Sequence, residues 1–186
     1  MNAHQQATGS AYFIDNKAQE SVTHTLAVVA ENQPGVLARI IGLFAGRGYN
    51  IDSLTVSETE HERHVSRFTI VTTGTASVIT QIKAQLERMV PVHSVADLTV
   101  EGNFLARELA MVKVHSEGDK RLEALRLGDA FRARVVDAST DSFVFEITGK
   151  PDKIDQFISL MMPLGLMEVS RTGVAAISRQ AEAMKA

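Results

Sequence analysis

A chain of 186 residues without a single cysteine has room for one mid-sized domain or two small ones of about 75 to 90 residues, and it excludes disulfides and thiolate metal sites. Charged residues at 22% and apolar ones at 45% match an ordinary globular protein. Nineteen Lys and Arg against 22 Asp and Glu leave a net charge of −3, so nothing draws the chain as a whole to phosphate backbones or anionic lipid.

Residues 1–22 are mostly polar, with Phe13 and Ile14 the one pair of large apolar neighbours. They predict a flexible extension with neither the basic cluster nor the apolar stretch of a secretory signal. Apolar runs such as Leu26 to Ala30 fall far short of the roughly 18 to 20 residues of a membrane span. The expectation is a cytoplasmic protein with no membrane and no nucleic-acid partner.

From His24 a short apolar run ends abruptly at Asn32-Gln33-Pro34-Gly35, which reads as a strand followed by a loop. Val36, Leu37, Ile40, Ile41, Leu43 and Phe44 then recur at helical spacing for about three turns, and Gly48 stands where a helix C-terminus takes a left-handed residue. Ile51–Ser57 and the run beginning Phe68-Thr69-Ile70-Val71 predict a hairpin around the charged turn 58–63. Thr75 can cap a helix whose stripe is Val78, Ile79, Ile82, Leu86, Met89 and Val90, stopped by Pro91. A strand over Val92–Val100 closes the unit. The order β-α-β-β-α-β over residues 23–100 is the split βαβ arrangement, an antiparallel sheet with two helices on one face.

After a linker at 101–107 the same order recurs over 108–180. The strand Leu109–His115 precedes a helix over Asp119–Phe131, in which Gly128 is a weak point, and the strand Val135–Ala138 follows. Phe143, Phe145 and Ile147 alternate, Pro151 opens a helix with Ile154, Phe157, Ile158 and Met161 on one side, and Met167–Arg171 closes the unit, leaving a tail at 181–186. The fold class is therefore α+β, with two ferredoxin-like βαββαβ domains.

Candidates for catalysis are few. His61 and His64, flanking Glu62, could share a metal only on a helix, and the segment reads as a polar hairpin turn. No serine lies in Gly-x-Ser-x-Gly, and Gly42, Gly46 and Gly48 stand at the end of a helix rather than before one, so they form no dinucleotide loop. Base stacking would need exposed aromatics on the central strands; the chain has no Trp, and its Phe residues fit core positions.

The turn at Asn32-Gln33-Pro34-Gly35 is different. It feeds a helix N-terminus, whose unpaired N–H groups and positive dipole end can hold a small carboxylate on the amides of Gly35, Val36 and Leu37. Asn32 can bond a ligand's ammonium or carboxylate without adding charge. Read by itself, the turn is equally a tight connection with an N-cap.

Glu31-Asn32-Gln33-Pro34-Gly35-Val36-Leu37 with Arg39, then Ile41-Gly42-Leu43-Phe44 and the run Arg47-Gly48-Tyr49-Asn50-Ile51-Asp52-Ser53-Leu54-Thr55-Val56, closely resembles the small, regulatory subunit family of acetolactate synthase. The likeness runs from about His24 to Arg179 and includes Arg107-Glu108-Leu109, Lys113-Val114 and Ser170-Arg171-Thr172-Gly173. It implies that residues 23–100 form an ACT domain that senses an amino acid. It further implies a noncatalytic partner of a large, thiamine-diphosphate-dependent catalytic subunit. Such a partner raises activity and carries feedback inhibition by valine, or by leucine or isoleucine. Thiamine diphosphate, magnesium and FAD would all belong to the catalytic subunit, leaving no cofactor in this chain.

Carried over by position, the resemblance makes Asn32 the ligand-binding asparagine, the Gly35, Val36 and Leu37 amides the carboxylate cradle, and Asn50 with Ile51 the part supplied by the neighbouring chain of a homodimer. Pairing two second strands edge to edge would hide their open edges. Pro34 departs from the family picture and stiffens the loop. Ser116-Glu117-Gly118-Asp119 occupies the equivalent turn of the second half, where two carboxylates would repel a ligand carboxylate, so one site per N-terminal domain is expected. Two other readings stand beside this one: a free-standing ACT sensor serving another enzyme or regulator, and an acylphosphatase-like hydrolase using Asn32 and Arg39.

Overall fold

The computed structural model describes residues 20–60, 62, 64–179 and 184. The expected flexible extension lies outside the described residues except for Glu20, Ser21 and Val22. So does most of the C-terminal tail, together with His61.

The first unit consists of β1 (Val22–Glu31), α1 (Val36–Gly46), β2 (Ser53–Glu60), β3 (Val65–Gly74), α2 (Ala76–Glu87) and β4 (Val92–Asp97). Its sheet is antiparallel throughout, in the order β2-β3-β1-β4, which leaves β2 at an edge. Leu26, Val28 and Ala30 alternate along β1 toward α1 and α2, where they meet Val36, Ile40, Phe44, Ile79, Ile82 and Leu86. Burial of these side chains is the main force holding both helices to one face.

A single helical turn, α3 (Leu98–Glu101), follows β4. The second unit consists of β5 (Phe104–His115), α4 (Gly118–Phe131), β6 (Arg134–Ala138), β7 (Ser142–Gly149), α5 (Pro151–Met161) and β8 (Leu166–Arg171). Its strands run in the order β6-β7-β5-β8, the topology of the first sheet repeated. Ala110, Val112 and Val114 of β5 pack with Phe145, Ile154, Phe157 and Met161. The two ferredoxin-like βαββαβ units expected from the hydrophobic patterns are both present.

Several boundaries differ from the sequence reading, each for a local reason. The strand expected to run to Val100 ends at Asp97, whose carboxylate accepts the N–H groups of Thr99 and Val100 and so opens α3. Helix α2 stops at Glu87 instead of continuing to Pro91, with Met89 N–H turning back to Leu86 O. Strand β2 extends to Glu60, into the segment expected as a turn, β3 begins at Val65, ahead of the run expected from Phe68, and β5 begins at Phe104, inside the expected linker.

An element with no counterpart in the sequence reading is β9 (Ala175–Ser178), which pairs with Phe104–Arg107 of β5. This ribbon lies over the back of the first sheet, where Val174 and Ala176 join Ala27, Ala96 and Leu98 in a third buried cluster. Strand β1 is thus covered on both faces, which explains its unbroken apolar run from Leu26 to Ala30.

Candidate functional site: the loop between β1 and α1

Two backbone hydrogen bonds fix the chain as it leaves β1. Glu31 N–H reaches Pro91 O at 2.8 Å, and Asn32 N–H reaches His64 O in the β2–β3 turn. Gly35 then takes φ +87° and ψ −10°, a left-handed conformation in which a side chain would be strained, and its carbonyl accepts the first helical bond from Arg39 N–H at 3.0 Å. The buried Val36 side chain anchors the first turn of α1 in the core.

The helix start is electrostatically bare. No side chain caps it, and its first turn contains no acidic residue. Val36 N–H is bonded to Gln33 O at 3.3 Å, whereas the N–H groups of Gly35 and Leu37 have no protein acceptor among the described residues. Two of the three amides expected to form the carboxylate cradle are therefore free. Asn32 and Gly35 are exposed, and Leu37 is 42% exposed, leaving an apolar side chain beside the polar opening. Uncompensated N–H groups at the positive end of an 11-residue helix favour an anion by about 0.3 to 1 kcal/mol at an exposed position.

Helix α4 provides the contrast. Its N-cap is Glu117 and Asp119 stands in its first turn, so two carboxylates already sit at its positive end. Gly118 is left-handed there too, at φ +53°, but the opening carries the opposite charge.

The other expected residues, Asn50 and Ile51, lie at the opposite end of the sheet. Asn50 O accepts the Thr72 hydroxyl at 2.6 Å, and its side-chain amide donates to Asp52 at 2.6 Å. Asp52 in turn accepts the Thr73 hydroxyl at 2.8 Å, and Ile51 packs on the first core. In the β1–β3 register Thr72 faces His24, seven residues along β1 from Glu31. At the rise of an antiparallel strand this separates Asn50 from the Asn32 loop by about 24 Å. One chain does not bring the two halves of the expected site together.

Of the residues that could carry other chemistry, Arg39 is exposed on α1 and His64 is exposed in the hairpin turn. Among the described residues no group of three or more His, Asp or Glu converges as a metal site would require, and no helix is long and apolar enough to cross a membrane.

The sequence reading missed the contact between the two units beside β2. Buried Glu108 holds the guanidinium of Arg171 through two hydrogen bonds, one from Nε at 2.8 Å, and Arg171 also reaches Asp155 of α5 at 2.6 Å. These carboxylates push the Arg171 pKa still higher than its ordinary value. The next residues, Thr172 to Val174, cross to β2. A Glu and an Arg 63 positions apart carry no local signal of pairing, and only the Gly in Thr172-Gly173 marks the turn.

Comparison with known proteins places both halves of the chain in one context. Residues 26–94 match a family model described as an AHAS small subunit-like ACT domain, and residues 107–180 match one described as the small subunit of acetolactate synthase. A probable acetolactate synthase small subunit from Archaeoglobus fulgidus is 46% identical over 156 residues, covering 84% of this chain and 96% of its own. The acetolactate synthase small subunit of Aquifex aeolicus is 44% identical, covering 84% and 81%. The crystal structure of that subunit from Thermotoga maritima superposes with a TM-score of 0.77 at 34% identity, over 87% of this chain and 99% of that one.

Proposed function

Because the chain belongs to the acetolactate synthase small-subunit family, we propose that it serves a separate catalytic subunit as its regulatory partner, activating it and conferring feedback inhibition by valine. The catalytic subunit would hold thiamine diphosphate, magnesium and FAD, and this chain would supply the amino-acid sensor. The observation that carries the reading is the bare start of α1, where Gly35 and Leu37 offer free N–H groups to a carboxylate beside the exposed Asn32.

The separation of Asn50 from Asn32 supports a site built by two chains. Strand β2 is a sheet edge, and pairing it antiparallel with the same strand of a second copy hides two open edges at once. Such a two-fold brings the Ser53 end of one β2 beside the Glu60 end of the other. The Glu60 end adjoins the β2–β3 turn, whose His64 carbonyl holds Asn32. Asn50 and Ile51 of one chain then approach Asn32, Gly35, Val36 and Leu37 of its partner. Burying a branched aliphatic side chain there contributes about 1.5 to 3 kcal/mol and favours valine, leucine or isoleucine over alanine.

Inhibition requires valine to bind one arrangement of the complex better than another, with a coupling of about 1 to 3 kcal/mol. The test mixes the purified chain with the acetolactate synthase catalytic subunit of the same organism and follows acetolactate formation with and without millimolar valine. Stimulation that valine reverses is expected. A chain that leaves the rate unchanged would favour the free-standing sensor, although the match of residues 107–180 to the same family supports the partner role.

A further inference from the structure

Strand β2 begins two residues after Ile51, and its first residues are gripped by the connection between β8 and β9. Val174 N–H donates to Ser53 Oγ at 3.0 Å, and Thr55 Oγ1 donates to Thr172 O at 3.4 Å. Between these bonds lies Gly173, at φ +78°. A Cβ at this position would stand 2.8 Å from Thr55 Oγ1 and 2.9 Å from Ser53 Oγ, so both the backbone angle and the contact require glycine.

The other end of this connection is anchored in the second sheet. Thr172 N–H bonds to Leu109 O at 3.0 Å, and Leu109 N–H bonds to Thr172 Oγ1 at 3.2 Å. Arg171 is held by Glu108 and Asp155. Beside these contacts a cleft of about 380 Å³, lined by Asp52, Leu54, Glu108 and Arg171 among others, separates β2 from the second sheet. The Thr172–Val174 segment bridges that cleft as a strap, clamped to β2 at one side and to β5 at the other.

We infer that Ser53, Thr55 and Gly173 are positioning residues that link occupancy of the amino-acid site to the placement of the second sheet. The inference rests on the regulatory reading above. An amino acid that orders Asn50 and Ile51 acts on the residues leading directly into Ser53. Asn50 is already hydrogen-bonded to Asp52, and Asp52 lines the cleft. A shift at the start of β2 passes through the Ser53–Val174 bond to a strap that Arg171 and Thr172 tie to β5. The strap offers a contiguous hydrogen-bonded route between a ligand site in the first unit and the body of the second.

The test uses the full chain with the catalytic subunit of the same organism and two variants, Gly173→Ala and Ser53→Ala. Valine binding to the regulatory chain is measured by calorimetry, and acetolactate formation with and without saturating valine is measured in parallel. Both variants should still stimulate the catalytic subunit and bind valine within about threefold of the wild type. For Gly173→Ala the ratio of uninhibited to inhibited rate should fall at least about fivefold toward one, the low end of typical allosteric couplings. Ser53→Ala adds no bulk and strains no backbone angle, so it should fall in the same direction even where Gly173→Ala folds poorly. Full inhibition in the Ser53→Ala complex, or loss of valine binding in step with inhibition, would overturn the linking role. A wild-type complex that binds no valine would instead overturn the amino-acid reading itself, and the strap's role with it.

Discussion

Gly35 is the residue on which the ligand reading turns, because it combines a left-handed backbone with open space. A Cβ there would meet no atom within 4 Å, so Gly35→Ala costs only backbone strain, about 1 to 2 kcal/mol. Gly35→Asp adds the same backbone strain, since Gly35 is left-handed at φ +87°, and places a carboxylate at the helix start. That internal anion takes the free N–H groups that a ligand carboxylate would use. Stimulation of the catalytic subunit should survive in Gly35→Asp, while the valine concentration for half-inhibition in an acetolactate assay rises at least about tenfold, the equivalent of about 1.4 kcal/mol. Unchanged sensitivity would place the ligand's carboxylate elsewhere. Both the Asn32 turn and its bare helix start were legible in the sequence, since a turn ahead of an apolar helical stripe is a local pattern. The pairing of Gly173 with Ser53 and Thr55 was not, because the reason for a glycine there lies about 120 positions away in the chain.

At the scale of elements, the helical stripes of α1, α2 and α5 were legible because three or four core contacts per helix repeat at one period. Helix α4 was readable despite Gly128, and the structure shows why that glycine is there. A Cβ on Gly128 would stand 2.7 Å from the Phe145 ring, which is wedged edge-on against Phe157 and beside Phe143. Helix propensity favours alanine by about 0.8 to 1 kcal/mol, and overpacking a filled core costs about 1 to 3. The packing cost exceeds the gain, so Gly128→Ala should lower stability by about 1 kcal/mol, or about 2 to 4 °C in thermal unfolding of a chain this size. A variant that melts higher would mean that the Phe145 ring yields. The short elements escaped the sequence reading for a different reason. Four residues each in α3 and β9 are too few to show a period, and β9 exists only because Phe104–Arg107 offers it an edge.

For the whole molecule, the repeated topology was legible and the packing of one unit on the other was not. The two sheets each satisfy their own alternation, whereas the cluster of Ala27, Leu98, Val174 and Ala176 joins residues from both ends of the chain. The same limit applies to the proposed dimer, since no single chain unites Asn32 with Asn50. A shared site makes a prediction that a site within one chain does not. Asn32→Ala and Asn50→Ala should each abolish valine binding in a homodimer, because every site then lacks one asparagine. When the two variants are refolded together, random pairing makes half the dimers mixed. Each mixed dimer has one site with both asparagines and one with neither, so about a quarter of wild-type valine binding should return in calorimetry. A site confined to one chain would stay silent in the mixture, because no chain in it carries both asparagines. Recovery near one quarter would therefore establish both the symmetry of the dimer and the pairing of residues across it.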